Sequence, residues 1–364
     1  MVEDLIGQQV GPYQIVGLLG HGGMASVYRA VQPSLKREIA LKVLTDQQAL
    51  LDPQFAERFR REATAIARLR HPNIVTVIDF GQRPRFTYIA MELVPEGSLR
   101  DFAGMILPLD YVVPIIVQVA SALDAAHAQG IVHRDVKPAN ILFQDRGSIF
   151  DPEPVVERPP WVMLADFGIA RVNWERSLTQ AGTGVGTPEY MSPEQAMGLP
   201  VDGRSDIYAL GIVLFELLTG QLPFTGKNAL QVAMQQVRQP LPSPRRLNPE
   251  IPPAVEQVIL KATAKNPDDR YQTAGEFAAA LVAAARSAGA LPAAEPRPAP
   301  PAEPRSLPEG STPQPETPRS LAPRSGPAGC RRFGLTVLAL VLLLGTGILG
   351  RLTRGQRKEP PPCA

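Results

Sequence analysis

The chain has 364 residues, 44% of them hydrophobic and 20% charged, a composition that excludes wholesale disorder and allows one large domain or two modest ones. Its 37 Lys and Arg nearly balance 35 Asp and Glu, and the net charge of +2 gives no basis for nucleic acid as a partner. The two cysteines, Cys330 and Cys363, exclude a disulfide framework and fit a reducing compartment, while 39 prolines, about twice the usual ~5%, predict that part of the chain is unfolded.

After a short segment at 1–12, the first ninety or so residues read as β-rich, with Tyr13–Leu19, Ser26–Val31 and Glu38–Leu44 alternating or β-branched. Between the first two runs lies Gly20-His21-Gly22-Gly23-Met24-Ala25. Glycines without Cβ let backbone N–H groups approach phosphate oxygens, yet any hairpin also favours glycine. A dinucleotide-binding loop would open a helix, whereas here Val27-Tyr28 resumes a strand, as a hairpin flap would. Lys42 is a charge inside the apolar run Ile39–Leu44 and so needs a use. Glu62 lies in an amphipathic helical run from about Pro53 to Leu69; it is either a solvated charge or the partner that holds the Lys42 ammonium against a polyphosphate.

The segment Ile131-Val132-His133-Arg134-Asp135-Val136-Lys137-Pro138-Ala139-Asn140-Ile141-Leu142 packs a carboxylate, an ammonium and an amide between apolar runs. Asp166-Phe167-Gly168 follows with apolar neighbours of its own. A carboxylate and an amide oxygen are hard ligands that suit Mg²⁺ and leave positions for phosphates. A second carboxylate beside them can orient a hydroxyl for in-line attack.

From Gly289 to Gly329 there are 12 prolines in 41 residues and no aromatic, which predicts a disordered linker, with a rigid stalk as the alternative. Residues 333–350, FGLTVLALVLLLGTGILG, carry no charge over 18 positions and are flanked by Arg331, Arg332, Arg351 and Arg354. At ~1.5 Å per residue they nearly match a ~30 Å hydrocarbon core, so the expectation is a single transmembrane helix rather than a core helix. The opening residues contain no apolar signal core, so the expectation places the larger part in the cytoplasm and 351–364 as a short extracytoplasmic tail.

In chain order, LGHGGMASVYRA, IALKVL, HPNIV, IAMELVPEGSL, IVHRDVKPANIL, ADFGIAR, GTPEYMSPEQA, SDIYALGIVLFELLTGQLPF and NPDDRYQT make the chain resemble the eukaryotic-type (Hanks-type) Ser/Thr protein kinases, bacterial ones most closely, over residues 13–283. The resemblance implies a two-lobed α+β fold, with an antiparallel-sheet lobe to about Val94 and a helical lobe beyond, and ATP with Mg²⁺ (or Mn²⁺) in the cleft between them. It assigns Lys42 to the α/β-phosphates in a pair with Glu62, Asp135 to the acceptor hydroxyl and Lys137 to the transferring phosphate. Asn140 and Asp166 would hold the metal ions. Leu19, Gly20 and Gly22 match the glycine loop, with Ala25 where a third glycine is usual. Val27, Ala40 and Leu142 would enclose adenine, with Met91 as gatekeeper and the backbone from Glu92 to Val94 as hinge.

Lys137 and Thr187 follow the Ser/Thr pattern, so protein hydroxyls are the implied substrates. Glu194 and Arg270 would form a buried pair, and Asp206 would brace the catalytic loop from a helix running through Leu218. Thr179 and Thr183 are the expected phosphate acceptors of the activation loop, with a weak homodimer and the membrane helix bringing copies together. The chain departs from the pattern between Asn140 and Asp166, where the acidic, proline-rich stretch at 144–160 reads as a solvent-exposed loop extension, either inert or a docking element. A binding protein that has lost catalysis, or a membrane tether working through its prolines, are the rival readings. The intact Lys42, Asp135 and Asp166 argue against the first, and the extent of the kinase-like sequence against the second.

Overall fold

Strands occupy the β-branched runs and extend them by a residue or two. They are β1 (Gln9–Val10), β2 (Tyr13–His21), β3 (Ala25–Gln32), β4 (Arg37–Leu44), β5 (Val77–Arg83) and β6 (Phe86–Glu92). The computed structural model describes residues 5–21, 25–44, 63–83, 86–147, 159–167 and 188–291. The chain divides into a unit of residues 1–297 and a second, Pro298–Ala364. The second unit lies outside the described residues, and with it most of the expected linker at 289–329, the helix expected at 333–350 and the tail expected at 351–364.

The six strands form one antiparallel sheet in the order β1-β2-β3-β4-β6-β5. Successive side chains of a strand point to opposite faces, and β4 shows the consequence. Ile39, Leu41 and Val43 pack with Tyr13, Ile15, Tyr28, Tyr88 and Ala90 on one face. Ala40 and Leu44 join Ile89, Met91 and Val94 on the other. Lys42 has the parity of Ala40 and Leu44, so it shares their face.

Residues 63–66 are helical and the helix then tightens, with Arg68 and Leu69 donating to the carbonyls of Ala65 and Ile66. The rest of the helix expected over 53–69, Glu62 included, lies outside the described residues.

The second lobe is built on two buried helices, α1 (Leu109–His127) and α3 (Gly203–Thr219). Short α2 (Pro193–Ala196) precedes α3, and α4 (Ala229–Arg238), α5 (Pro253–Ala262) and α6 (Ala274–Ser287) follow. Among the described residues α1 alone has the length and apolarity to cross a membrane, but its Val112, Ile115, Ile116, Val119 and Leu123 lie in the helical lobe's core, which marks it as a core helix. α3 is apolar on nearly every side and correspondingly buried. Its N-terminus is capped by the Asp202 carboxylate, and its C-terminus stops at Gly220, where φ is +69°. α6 is anchored to α1 by Asp124, whose oxygens accept the N–H groups of Ala274 and Gly275 at 2.8 Å each. A Cβ at Gly275 would lie 2.7 Å from that carboxylate, so glycine is required for the approach. Strands β7 (Ile141–Asp145) and β8 (Trp161–Leu164) form a hairpin at the cleft.

Candidate active site

The loop 131–140 leaves α1 through Gly130, whose φ of +73° lets Ile131 N–H return to the Ala126 carbonyl. Three donors converge on Asp206 of α3. The backbone N–H groups of His133 and Arg134 donate to its two oxygens at 2.8 Å each, and His127 Nε2 lies 2.7 Å from Oδ2. Arg134 sits at φ +65°, a conformation L-residues seldom hold without such over-determined support. His133 is fully buried. Its Nδ1 accepts from Asp135 N–H at 3.2 Å, so Nε2 carries the proton and donates to the Ala165 carbonyl at 3.0 Å. Burial, only partly offset by Asp206 and Asp135, pushes its pKa below the ordinary imidazole value. One neutral ring therefore ties the loop that carries Asp135 to the strand end that carries Asp166.

The Asp135 carboxylate is paired with Lys137 Nζ at 2.9 Å. Asn140 Nδ2 donates to the Asp135 carbonyl at 2.8 Å and to its Oδ2 at 3.2 Å, which leaves the amide oxygen as the atom that can ligate a cation. Across the cleft Lys42 Nζ lies 2.8 Å from Asp166 Oδ1, with both side chains partly exposed. Asp166 also takes a positive φ, +58°. Burial pushes its carboxyl up, but the Lys42 ammonium, with Lys137 beyond it, more than offsets burial and holds the group below the usual carboxylate range. An ionised carboxylate and an amide oxygen are a donor set that fits Mg²⁺, an ion that takes its remaining ligands from water and phosphate. Among the described residues no cluster of three or more His, Cys, Asp or Glu offers a competing metal site.

Above these polar groups Val27, Ala40, Met91, Val94 and Leu142 belong to one apolar cluster. Sheet register brings them together, with Val27 opposite Lys42 and Ala40 opposite Met91. Met163, opposite Leu142 on the β7–β8 hairpin, and Ala165 complete it. Gly20 pairs with Val27 next to a register shift and has open space where a Cβ would stand, while Leu19 is half exposed. Glu92 N–H donates to the Thr76 carbonyl, which fixes the strand where it leaves for the second lobe.

Away from the cleft, Arg270 NH1 and NH2 grip the Glu194 oxygens at 2.7 and 2.8 Å in a buried pair. Gln195 Nε2 donates to the Arg134 carbonyl at 3.0 Å, so α2 touches the 131–140 loop one residue before Asp135. Gly22, Glu62, Thr179, Thr183, Thr187 and most of the 144–160 extension lie outside the described residues. Two groups received no role from the sequence. His133 was visible in its motif, but only its two partners show what it does. Asp124 lies about 150 positions from the helix it caps, and no local signal joins them.

Comparison with known proteins gives a consistent result. The family model described as "Protein kinase domain" matches residues 13–281. The serine/threonine-protein kinase PrkC of Bacillus subtilis is 43% identical over 278 residues, covering 76% of this chain and 41% of that protein. The serine/threonine-protein kinase pkn3 of Myxococcus xanthus is 42% identical over 291 residues, covering 77% and 51%. This chain thus spans about half or less of the length of these curated relatives. Among solved structures, the PknI kinase domain of Mycobacterium tuberculosis superposes with a TM-score of 0.60 at 32% identity, covering 76% of this chain and 98% of that one. A structure of Rad53 1-466 in complex with AMP-PNP matches with a TM-score of 0.59 at 26% identity over 73% of this chain and 64% of its own.

Proposed function

Because the chain belongs to the protein kinase domain family, we propose that it transfers the γ-phosphoryl group of ATP to Ser or Thr hydroxyls of proteins. The observation that carries this reading is the Asp135–Lys137–Asn140 arrangement beside the Lys42–Asp166 pair. An acceptor hydroxyl placed at Asp135 is oriented by that carboxylate and passes its proton to it. The hydroxyl oxygen forms the new bond to the γ-phosphorus, the bond from that phosphorus to the β–γ bridging oxygen breaks, and ADP leaves. Lys137 stabilises charge on the transferring group, and Lys42 places the α/β-phosphates. Asp166 and the Asn140 oxygen would hold Mg²⁺, whose charge neutralises phosphate oxygens when bound. Val27, Ala40, Met91 and Leu142 supply an apolar slot for the adenine ring, a setting that AMP-PNP in the Rad53 structure supports by analogy.

Asp135→Asn tests the assignment. It should lower phosphoryl transfer to an acceptor protein by about 10²–10⁴-fold while ATP affinity stays within twofold, since Asp135 acts on the hydroxyl. Retention of a third of wild-type turnover would overturn the role.

The same reading extends to regulation. An arginine that precedes the catalytic carboxylate, as Arg134 does, can pair with a phosphate on Thr179 or Thr183. The uncharged run at 333–350 would hold the catalytic unit at the cytoplasmic face of the cell membrane and raise encounters between copies in a weak, kinase-domain-mediated dimer. Phosphopeptide mapping after incubation with ATP should find phosphate on one of the two threonines, and a truncation before residue 333 should leave the membrane fraction. An active preparation with neither threonine modified, or a truncated chain still membrane-bound, removes the corresponding part.

A further inference from the structure

Resting on the kinase reading, we propose that Gln236 is a positioning residue for protein-substrate recognition. From inside α4 it fixes the turn that an acceptor polypeptide must pass to reach Asp135. Gln236 is a polar side chain with no exposed surface, on a helix whose outward residues include exposed Leu230 and Met234. A buried amide is retained where every polar atom has a partner, and this one is fully engaged. Its Oε1 accepts from Tyr208 Oη at 2.6 Å, and its Nε2 donates to the carbonyls of Glu189 at 2.5 Å and Pro188 at 3.4 Å. Its backbone carbonyl accepts from Lys265 Nζ at 2.7 Å, and that ammonium also reaches Tyr208 Oη at 3.2 Å. The orientation of the amide is thereby set: the hydroxyl of Tyr208 fixes the oxygen, and the NH₂ group is left facing the two carbonyls.

The turn it holds, Pro188–Tyr190, runs into α2, where Gln195 meets the Arg134 carbonyl next to Asp135. Segment 188–195 therefore borders the catalytic loop. A polypeptide presenting a hydroxyl to Asp135 lies across this border, whereas ATP, bound under Val27 and Ala40, does not touch it. Tyr208 is two residues beyond Asp206 on α3. One helix thus fixes the catalytic loop through Asp206 and the turn through Tyr208 and Gln236. The distance between catalytic carboxylate and substrate border is built into α3, with the Gln236 amide as the link to the turn.

The test uses the full chain with dephosphorylated casein as acceptor. Gln236→Met keeps the volume and removes both hydrogen-bonding atoms, so the Glu189 carbonyl loses this donor and the Pro188 carbonyl keeps only the Met191 N–H. The KM for casein should rise about tenfold or more, while the KM for ATP and the slow ATP hydrolysis without acceptor stay within twofold. Hydrogen exchange at the Met191 amide, which bonds the Pro188 carbonyl, should speed up in parallel. Tyr208→Phe, which frees the amide to rotate, should move the same readouts less. Gln236→His, which returns a donor at similar reach, should restore most of the casein affinity. Equal losses for casein and ATP in Gln236→Met and Tyr208→Phe would make the residue merely structural, and unchanged casein kinetics in a folded Gln236→Met protein would also overturn the proposal. Wild-type protein that never phosphorylates casein or any other acceptor would instead count against the kinase reading, leaving the Met191 exchange rate as the test of the grip itself.

Discussion

Arg270 offers the most quantitative test of how this lobe is held together. Its side chain has no exposed surface, and every guanidinium N–H is used. Nε donates to the Ala264 carbonyl at 2.7 Å, NH1 to Glu194 Oε1 and the Arg204 carbonyl, and NH2 to Glu194 Oε2 and the Lys265 carbonyl. Removing one partner of a buried ion pair costs about 3–5 kcal/mol, because the other charge stays behind uncompensated. In Arg270→Met the Glu194 carboxylate would keep Ser205 Oγ, at 2.5 Å, as its side-chain donor. With ~2–4 °C per kcal/mol for a domain of this size, the melting midpoint should fall by roughly 6–20 °C.

Three of the five bonds go to backbone carbonyls, so the loss is not confined to Glu194. Glu194→Gln removes the charge but keeps an acceptor, and should cost about 1.5–3 kcal/mol. If the carbonyls matter, Glu194→Gln/Arg270→Met will remain well below Glu194→Gln in stability when both are followed by circular dichroism in urea. Equal stability of those two proteins would refute the argument, because Arg270 would then serve Glu194 alone. The pair also has a pH signature. Burial pushes the Glu194 carboxyl up, but Arg270 and Ser205 more than offset this and hold it below its ordinary 4.5. The unfolded chain thus takes up a proton before the folded one does. The stabilisation is complete above about pH 4.5 and disappears as pH falls through the lower, folded-state value.

Lys42→Met should weaken Mg²⁺–ATP binding and do so increasingly from pH 7 to pH 5, because without the ammonium burial, the largest influence on Asp166, is opposed chiefly by the more distant Lys137 and the pKa rises. A binding constant that falls equally at both pH values would refute the coupling. His133 should stay neutral with the proton on Nε2 at pH 6, as read by ¹⁵N NMR, since burial lowers its pKa. Its unfolded state protonates near pH 6.5, so stability should decline as pH drops below that point. A doubly protonated ring at pH 6 would contradict the tautomer read from Asp135 and Ala165.

Much of this site was legible in the chain because its parts are local. The period-two pattern of β4 is enough to place Lys42 on the face of Ala40, and the catalytic loop brings Asp135, Lys137 and Asn140 within six residues. Asp166 is joined to them by a hairpin whose register pairs Ile141 with Leu164. What stayed hidden is long-range and polar. Nothing near Asp124 announces that it caps a helix starting at Ala274, and nothing near Gln236 announces a grip on Pro188 and Glu189. Such partners are chosen by packing of the whole lobe, and a single sequence carries no local periodicity for them. The strand ends were also undershot. His21, Ala25, Gln32 and Arg37 are paired across the sheet, although their side chains carry no β-branched signal.

The polar residues of α3 follow from one constraint. In a helix buried on nearly every side, each polar side chain must find a bond or impose a penalty of about 1–3 kcal/mol. Ser205 meets Glu194, Asp206 takes the catalytic loop, Tyr208 orients Gln236, and Glu216 accepts from Tyr190 Oη at 2.6 Å. Those four bonds reach the segments that border or carry the proposed chemistry, and between them lie the apolar residues that lock α3 into the core. The helix is thus both buried on nearly every side and the element to which the loop and the turn are fastened. Rigid support of that kind keeps a carboxylate on station without help from a bound substrate. It also implies that damage to α3 packing reaches the active site by geometry rather than by chemistry. A cavity at Leu210, one helical turn beyond Asp206, should loosen the loop that Asp206 holds, and Leu210→Ala should speed hydrogen exchange at the His133 and Arg134 amides.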